Sequence, residues 1–86
     1  MKLLYFAWVR NKVGISEEEI PLPDGVHDLG ELIEWLKKRG AGFEDALADM
    51  SGVRVAVNQE MADLSHRVCD QDEVAVFPPM TGGSRP

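Results

Sequence analysis

Two adjacent glycines, Gly82 and Gly83, stand near the end of an 86-residue chain and are followed only by Ser84-Arg85-Pro86. Glycine has no Cβ, so a backbone of glycines passes through channels too narrow for other residues and takes dihedral angles closed to them. A glycine carboxylate on such a tether can enter another protein's active site, and the carrier then needs no catalytic side chain. The same dipeptide also suits an end with no chemistry at all, because termini are commonly disordered. From the tail alone both readings stand.

The other reactive side chains carry less. Cys69 is the single cysteine, so it forms no internal disulfide and no cysteine-cluster metal site. It reads as a small apolar group beside Val68 rather than a sulfur relay, because free cysteine is usually buried. His27 precedes a helix cap and His66 lies in a polar stretch. Neither has a partner at metal or triad spacing, and no metal site is expected. Trp8 and Trp35 read as packing residues, with Trp8 also able to join a partner-facing surface.

Bulk properties narrow the classes. The length fits one small domain, and a site completed by a partner suits it better than a large cleft of its own. The net charge is -6, so the basic footprint of nucleic-acid binding is missing. The cationic run Lys37-Lys38-Arg39 falls where a helix should end and complements its dipole. The N-terminal MKLLYFAWVRNK makes a poor signal peptide and is too short to span a membrane. Cytoplasmic localisation, without membrane association, is the expectation.

The elements that must position the tail come next. Residues 2–9 are aromatic and branched and predict a strand apolar on both faces. Residues 15–20 predict a weak edge strand, with Glu17-Glu18-Glu19 as a solvated edge that discourages pairing. Residues 28–39 predict a helix: Asp28 and Glu31 make a capping box, Leu29, Leu32, Ile33 and Leu36 form one stripe, and Gly40 is the stop. A short helix is expected at 43–50, and a half-buried strand at 53–58, with a turn at Asn58-Gln59. The last strand is 73–77, ended by Pro78-Pro79. One helix can cover one face of a small sheet, and the crossover makes the central first and last strands parallel. The expected fold is α+β, a β-grasp as in ubiquitin, over 1–79, with a flexible C-terminal tail at 80–86.

The stretch DEVAVFPPMTGG, residues 72–83, resembles the C-terminus of the MoaD family, the small subunits of molybdopterin synthase. FAWVRNKVG at 6–14 and VAVNQ at 55–59 resemble further family segments, in the same order. The resemblance implies a sulfur carrier for molybdenum cofactor biosynthesis. An E1-like, MoeB-type enzyme uses ATP to adenylate the terminal glycine carboxylate, and sulfur replaces the adenylate to give a thiocarboxylate. The tail then donates sulfur to cyclic pyranopterin monophosphate inside a MoaE-like large subunit, in a heterotetramer. By position, Gly83 is the attachment residue, and Thr81 and Gly82 thread the channel. Phe6, Met61 and Phe77 match an apolar partner surface, and Arg10 a polar rim. Parity places Phe6 and Phe77 on the sheet face away from the helix; ordinary core is the competing assignment. No cofactor is expected to be bound. The chain would be enzymatic only as a subunit, with no catalytic side chain of its own.

Two departures stand out. The Gly83 carboxyl is locked in a peptide bond to Ser84, so the carrier reading requires a trimming protease. Asp70-Gln71-Asp72 replaces the family's Asp-Gly-Asp, which implies a different turn type. The alternatives are a carrier for thiamin or cysteine biosynthesis, and a ubiquitin-like binding module with a blocked tail.

Overall fold

The computed structural model describes residues 1–79, so the expected tail, including Thr81, Gly82 and Gly83, lies outside the described residues. Five strands form one mixed sheet: β1 (Lys2–Tyr5), β2 (Glu17–Glu19), β3 (Arg54–Val57), β4 (Glu60–Met61) and β5 (Glu73–Phe77), in the order β2-β1-β5-β3-β4. β1 and β5 pair in parallel, while β1–β2, β3–β5 and β3–β4 are antiparallel. The helices are α1 (Ala7–Val13), α2 (Leu29–Lys37) and α3 (Ala41–Leu47), followed by a short 3-10 turn at Met50–Gly52.

α2 forms for the reasons its sequence announces. The Asp28 carboxylate accepts from the Glu31 amide at 2.8 Å, and the Glu31 carboxylate accepts from the His27 amide at 2.6 Å. The first bond satisfies an amide that a helix start leaves without a partner, while the second reaches the residue before the cap instead of the Asp28 amide that the expected capping box would engage. Leu29, Leu32, Ile33 and Leu36 are all buried. They meet Leu3, Tyr5, Val55, Val57, Val74 and Val76 from the sheet in one core. Each of these side chains gains about 1.5–3 kcal/mol when fully removed from water.

Several expectations need correction. The first strand ends at Tyr5, and residues 7–9 of the expected strand belong instead to helix α1, which runs on to Val13. Ala7 has φ +55°, a left-handed backbone that turns the chain out of the sheet. Gly14, at φ +93°, closes α1 by donating its amide N–H to the Arg10 carbonyl. Only Val9 of α1 is fully buried. The helix is held instead by α3, where Gly42 lies so close to the Lys12 carbonyl that any Cβ there would overlap it. Gly40 does not stop α2; Lys38 caps that helix, and Gly40 is the N-cap of α3. The latter starts two residues before the expected position. Cys69 is exposed, not buried: it begins a turn in which its amide donates to the Asp72 carboxylate and Asp72 donates back to its carbonyl. Gln71 in that turn is not among the residues with positive φ, so the turn is indeed of a type that does not demand glycine.

The acidic edge is also more than solvated. Glu18 of β2 accepts from the Tyr5 hydroxyl at 2.7 Å and from Arg39. Arg39 in turn lies 5.3 Å from the Trp35 ring centre and 4.8 Å from that of Phe43. The end of the cationic run therefore clamps β2 to the helical layer as well as following α2.

Candidate functional site

The site implied by the tail begins where β5 ends, at Phe77-Pro78-Pro79. Side chains alternate across a strand, and residues directly opposite in neighbouring strands share a face. Val74 and Val76 are buried toward the helices, so Glu73, Ala75 and Phe77 occupy the other face. Register then assembles that face row by row. Leu4, Ala75, Ala56 and Met61 lie side by side across four strands. One step toward the tail, Arg54 is opposite Phe77.

Phe6 joins the second row although it is no longer in a strand. Its backbone is still extended (φ -126°, ψ 154°) as the N-cap of α1. Its amide donates to the Val76 carbonyl at 3.1 Å. Tyr5 is opposite Val76, so Phe6 and Phe77 are the next pair in register. Phe6 is 47% exposed and Met61 62%, and Phe77 is half-buried. None of the three belongs to the core cluster. Arg10 is exposed on α1. The structure thus brings Phe6 and Phe77 together beside the root of the tail and places Met61 on the same face.

Charges border the apolar strip asymmetrically. Glu17 stands beside Leu4, and Lys2 lies between Glu19 and Glu73 at the end remote from the tail. Arg54 stands at the tail end. The sequence reading missed Arg54, Ala56 and Ala75. Their signal was the alternation of 53–58 and 73–77, once the register between those strands is known. An open groove of about 650 Å³ runs beside α2, lined by residues such as Gly30, Trp35 and Leu64, and includes none of the expected site residues. Among the described residues no cluster of His, Cys, Asp or Glu could hold a metal ion, and no helix is long and apolar enough to cross a membrane.

A mixed sheet with parallel β1 and β5, covered on one face by helices, defines a β-grasp protein of the ubiquitin-like class. The chain belongs to the ThiS family, whose model matches residues 3–83 and so ends on Gly83. It is 38% identical to the molybdopterin synthase sulfur carrier subunit of Escherichia coli strain K12, over 96% of this chain and 99% of that one. Its fold matches a Pyrococcus furiosus chain described as a candidate subunit 1 of molybdopterin converting factor, with TM-score 0.73, 37% identity, and 92% and 95% of the two chains covered. SAMP1 from Haloferax volcanii superposes with TM-score 0.70 at 26% identity, over 96% and 98% of the chains.

Proposed function

We propose that this chain is a sulfur carrier in molybdenum cofactor biosynthesis, the small subunit of a molybdopterin synthase. The observation that carries the reading is its near-complete match to a relative bearing that name, together with a family match that ends on Gly83.

In this reading a protease hydrolyses the Gly83–Ser84 peptide bond. An E1-like, MoeB-type enzyme then joins the freed carboxylate to the AMP moiety of ATP, with loss of pyrophosphate. A free carboxylate is a poor acyl donor, whereas AMP is a good leaving group, so a sulfur nucleophile can displace it to leave a thiocarboxylate on Gly83. Gly82 and Thr81 thread the channel of a MoaE-like large subunit, where the sulfur passes to cyclic pyranopterin monophosphate. Phe6, Phe77 and Met61 form the apolar docking surface, and Arg10 a polar rim contact. Exposed apolar clusters on small domains mark such interfaces. The chain brings no cofactor of its own; ATP belongs to the activating enzyme. The cytoplasm is the compartment this reading assigns.

The test is the intact mass of the protein purified from its own cells. A chain ending at Gly83, with sulfur in place of one oxygen, is expected. A chain that always ends at Pro86, and is inert to the activating enzyme and ATP, overturns the reading. That outcome favours a ubiquitin-like binding module, for which Ser84-Arg85-Pro86 is the specific observation. A carrier for thiamin or cysteine biosynthesis would show the same mass and fail to co-purify with a MoaE-like subunit.

A further inference from the structure

The open face continues past the end of β1 in a direction the tail motif does not announce. The Tyr5 amide donates to the Ser16 carbonyl at 2.8 Å, which extends the β1–β2 register by one residue. The next position in that register sets Ile15 beside Phe6. Phe6 is in register with Phe77, and Phe77 with Arg54. A transverse row Ile15–Phe6–Phe77–Arg54 therefore crosses the end of the sheet from which the chain leaves toward Gly83. Trp8 lies two residues beyond Phe6, in the first turn of α1, and α1 packs beside β5. Ile15 is 40% exposed and Trp8 38%, and the core uses neither. Trp8 thus does not act as the interior packing residue that its composition suggests.

We propose that Ile15 and Trp8 are contact residues for the large subunit that receives the Gly83 tail, widening the docking surface beyond Phe6, Met61 and Phe77. This rests on the sulfur-carrier reading. The length of the tether selects the occupant. Only residues 80–83 separate Pro79 from the reacting carboxylate, and four fully extended residues span roughly 14 Å. An active site that holds Gly83 must keep the body of its protein within that distance of Pro79. Its surface therefore covers the end of β5 and the row beside it. Large apolar groups fully desolvated at the centre of an interface supply most of its binding energy, tryptophan among the foremost. On the free chain Ile15 and Trp8 keep 40% and 38% of their surface exposed and stand outside the core cluster. The partner surface they fit is apolar, surrounding the mouth of the channel that admits the glycines.

The experiment titrates the MoaE-like subunit of the same organism with the chain ending at Gly83, by calorimetry. Ile15→Thr and Trp8→Gln, each checked for an unchanged thermal transition, are compared with Leu64→Ser. Leu64 is an exposed apolar residue of the α2 groove. Dissociation constants raised about 10-fold by each of the first two, with Leu64→Ser unchanged, are expected for interface anchors. If Phe6→Ser weakens binding while Ile15→Thr and Trp8→Gln leave it unaltered, the two residues are not contacts and the proposal fails alone. If the unsubstituted chain does not bind the large subunit, the proposal fails together with the function it rests on.

Discussion

The Tyr5 hydroxyl donates to one carboxylate oxygen of Glu18, and the Arg39 guanidinium donates to that same oxygen. A buried phenol, an edge-strand acid and a post-helical cation are thereby tied in one knot between β1, β2 and the helical layer. Burial, and then the Glu18 carboxylate, push the Tyr5 phenol well above its ordinary value of 10.0. Burial opposes ionisation of Glu18, but the hydrogen bonds from Arg39 and Tyr5 and the Arg39 charge outweigh it and hold the carboxyl below its usual range.

The alkaline consequence is readable because Tyr5 is the single tyrosine. Its folded pKa is raised, so the stability it contributes is fully present below pH 10 and is lost as the pH climbs above that value, where the unfolded chain ionises and the folded one does not. Phenolate absorbance should therefore appear only together with loss of the circular dichroism signal. Phenolate formation at the ordinary value in a folded protein would show that Tyr5 is not held this way.

On the acid side the sign reverses. The depressed Glu18 carboxyl contributes stability above its ordinary value of 4.5, and that contribution is lost as pH falls through the depressed folded value. Glu18→Gln should lower stability at neutral pH by about 1–3 kcal/mol and flatten the decline in acid. Urea unfolding at a series of pH values measures both effects.

Gly42 is the second site where small changes matter. A methyl group there meets the Lys12 backbone carbonyl, which cannot swing aside as a side chain would. Gly42→Ala should force α1 and α3 apart and cost about 1–3 kcal/mol. The unfolding midpoint gives the number, and an unchanged midpoint would mean that the two helices separate freely.

Asp28→Ala removes the side chain that accepts from the Glu31 amide at the start of α2. The expected loss is about 1 kcal/mol. Asp28→Asn, which keeps an acceptor, should recover most of it in the same thermal assay.

The β3–β4 hairpin turns through Asn58 and Gln59, both left-handed at φ +52° and +70°. Asparagine tolerates that region, whereas glutamine is held there at a cost of roughly 1 kcal/mol. Gln59→Gly should raise the melting temperature, since Asn-Gly is the preferred pair for such two-residue loops. A lowered melting temperature would contradict the strain.

Legibility followed the strength of local patterns. Residues 53–58 and 73–77 alternate or run apolar without ambiguity, and α2 carries both its cap and its stripe. Those signals gave β3, β5 and the main helix, and the crossover through that helix gave the parallel direction of the first and last strands. α1 was illegible because FAWV has strand-like composition while the decisive event is backbone geometry at Ala7. Its one clear trace was Gly14, which punctuates a loop and caps a helix equally well. Cys69 misled because its exposure follows from a turn fastened by Asp72, not from its own apolarity. At the site, parity placed Phe6 and Phe77 on one face even though the strand assumed for Phe6 ends a residue earlier. Arg54 and Ile15 needed strand register, which pairs residues far apart in the chain.

The parallel pairing of β1 with β5 also has a consequence in time. Lys2 meets Glu73, so the first strand's central partner lies roughly seventy residues downstream, and contacts that distant form late and slowly. During synthesis β1 must wait until β5 has left the ribosome before its ladder can close. The glycines follow β5 by only a few residues. The domain therefore cannot complete its fold until its glycines are about to emerge, and a nascent chain has little opportunity to present a folded body without them.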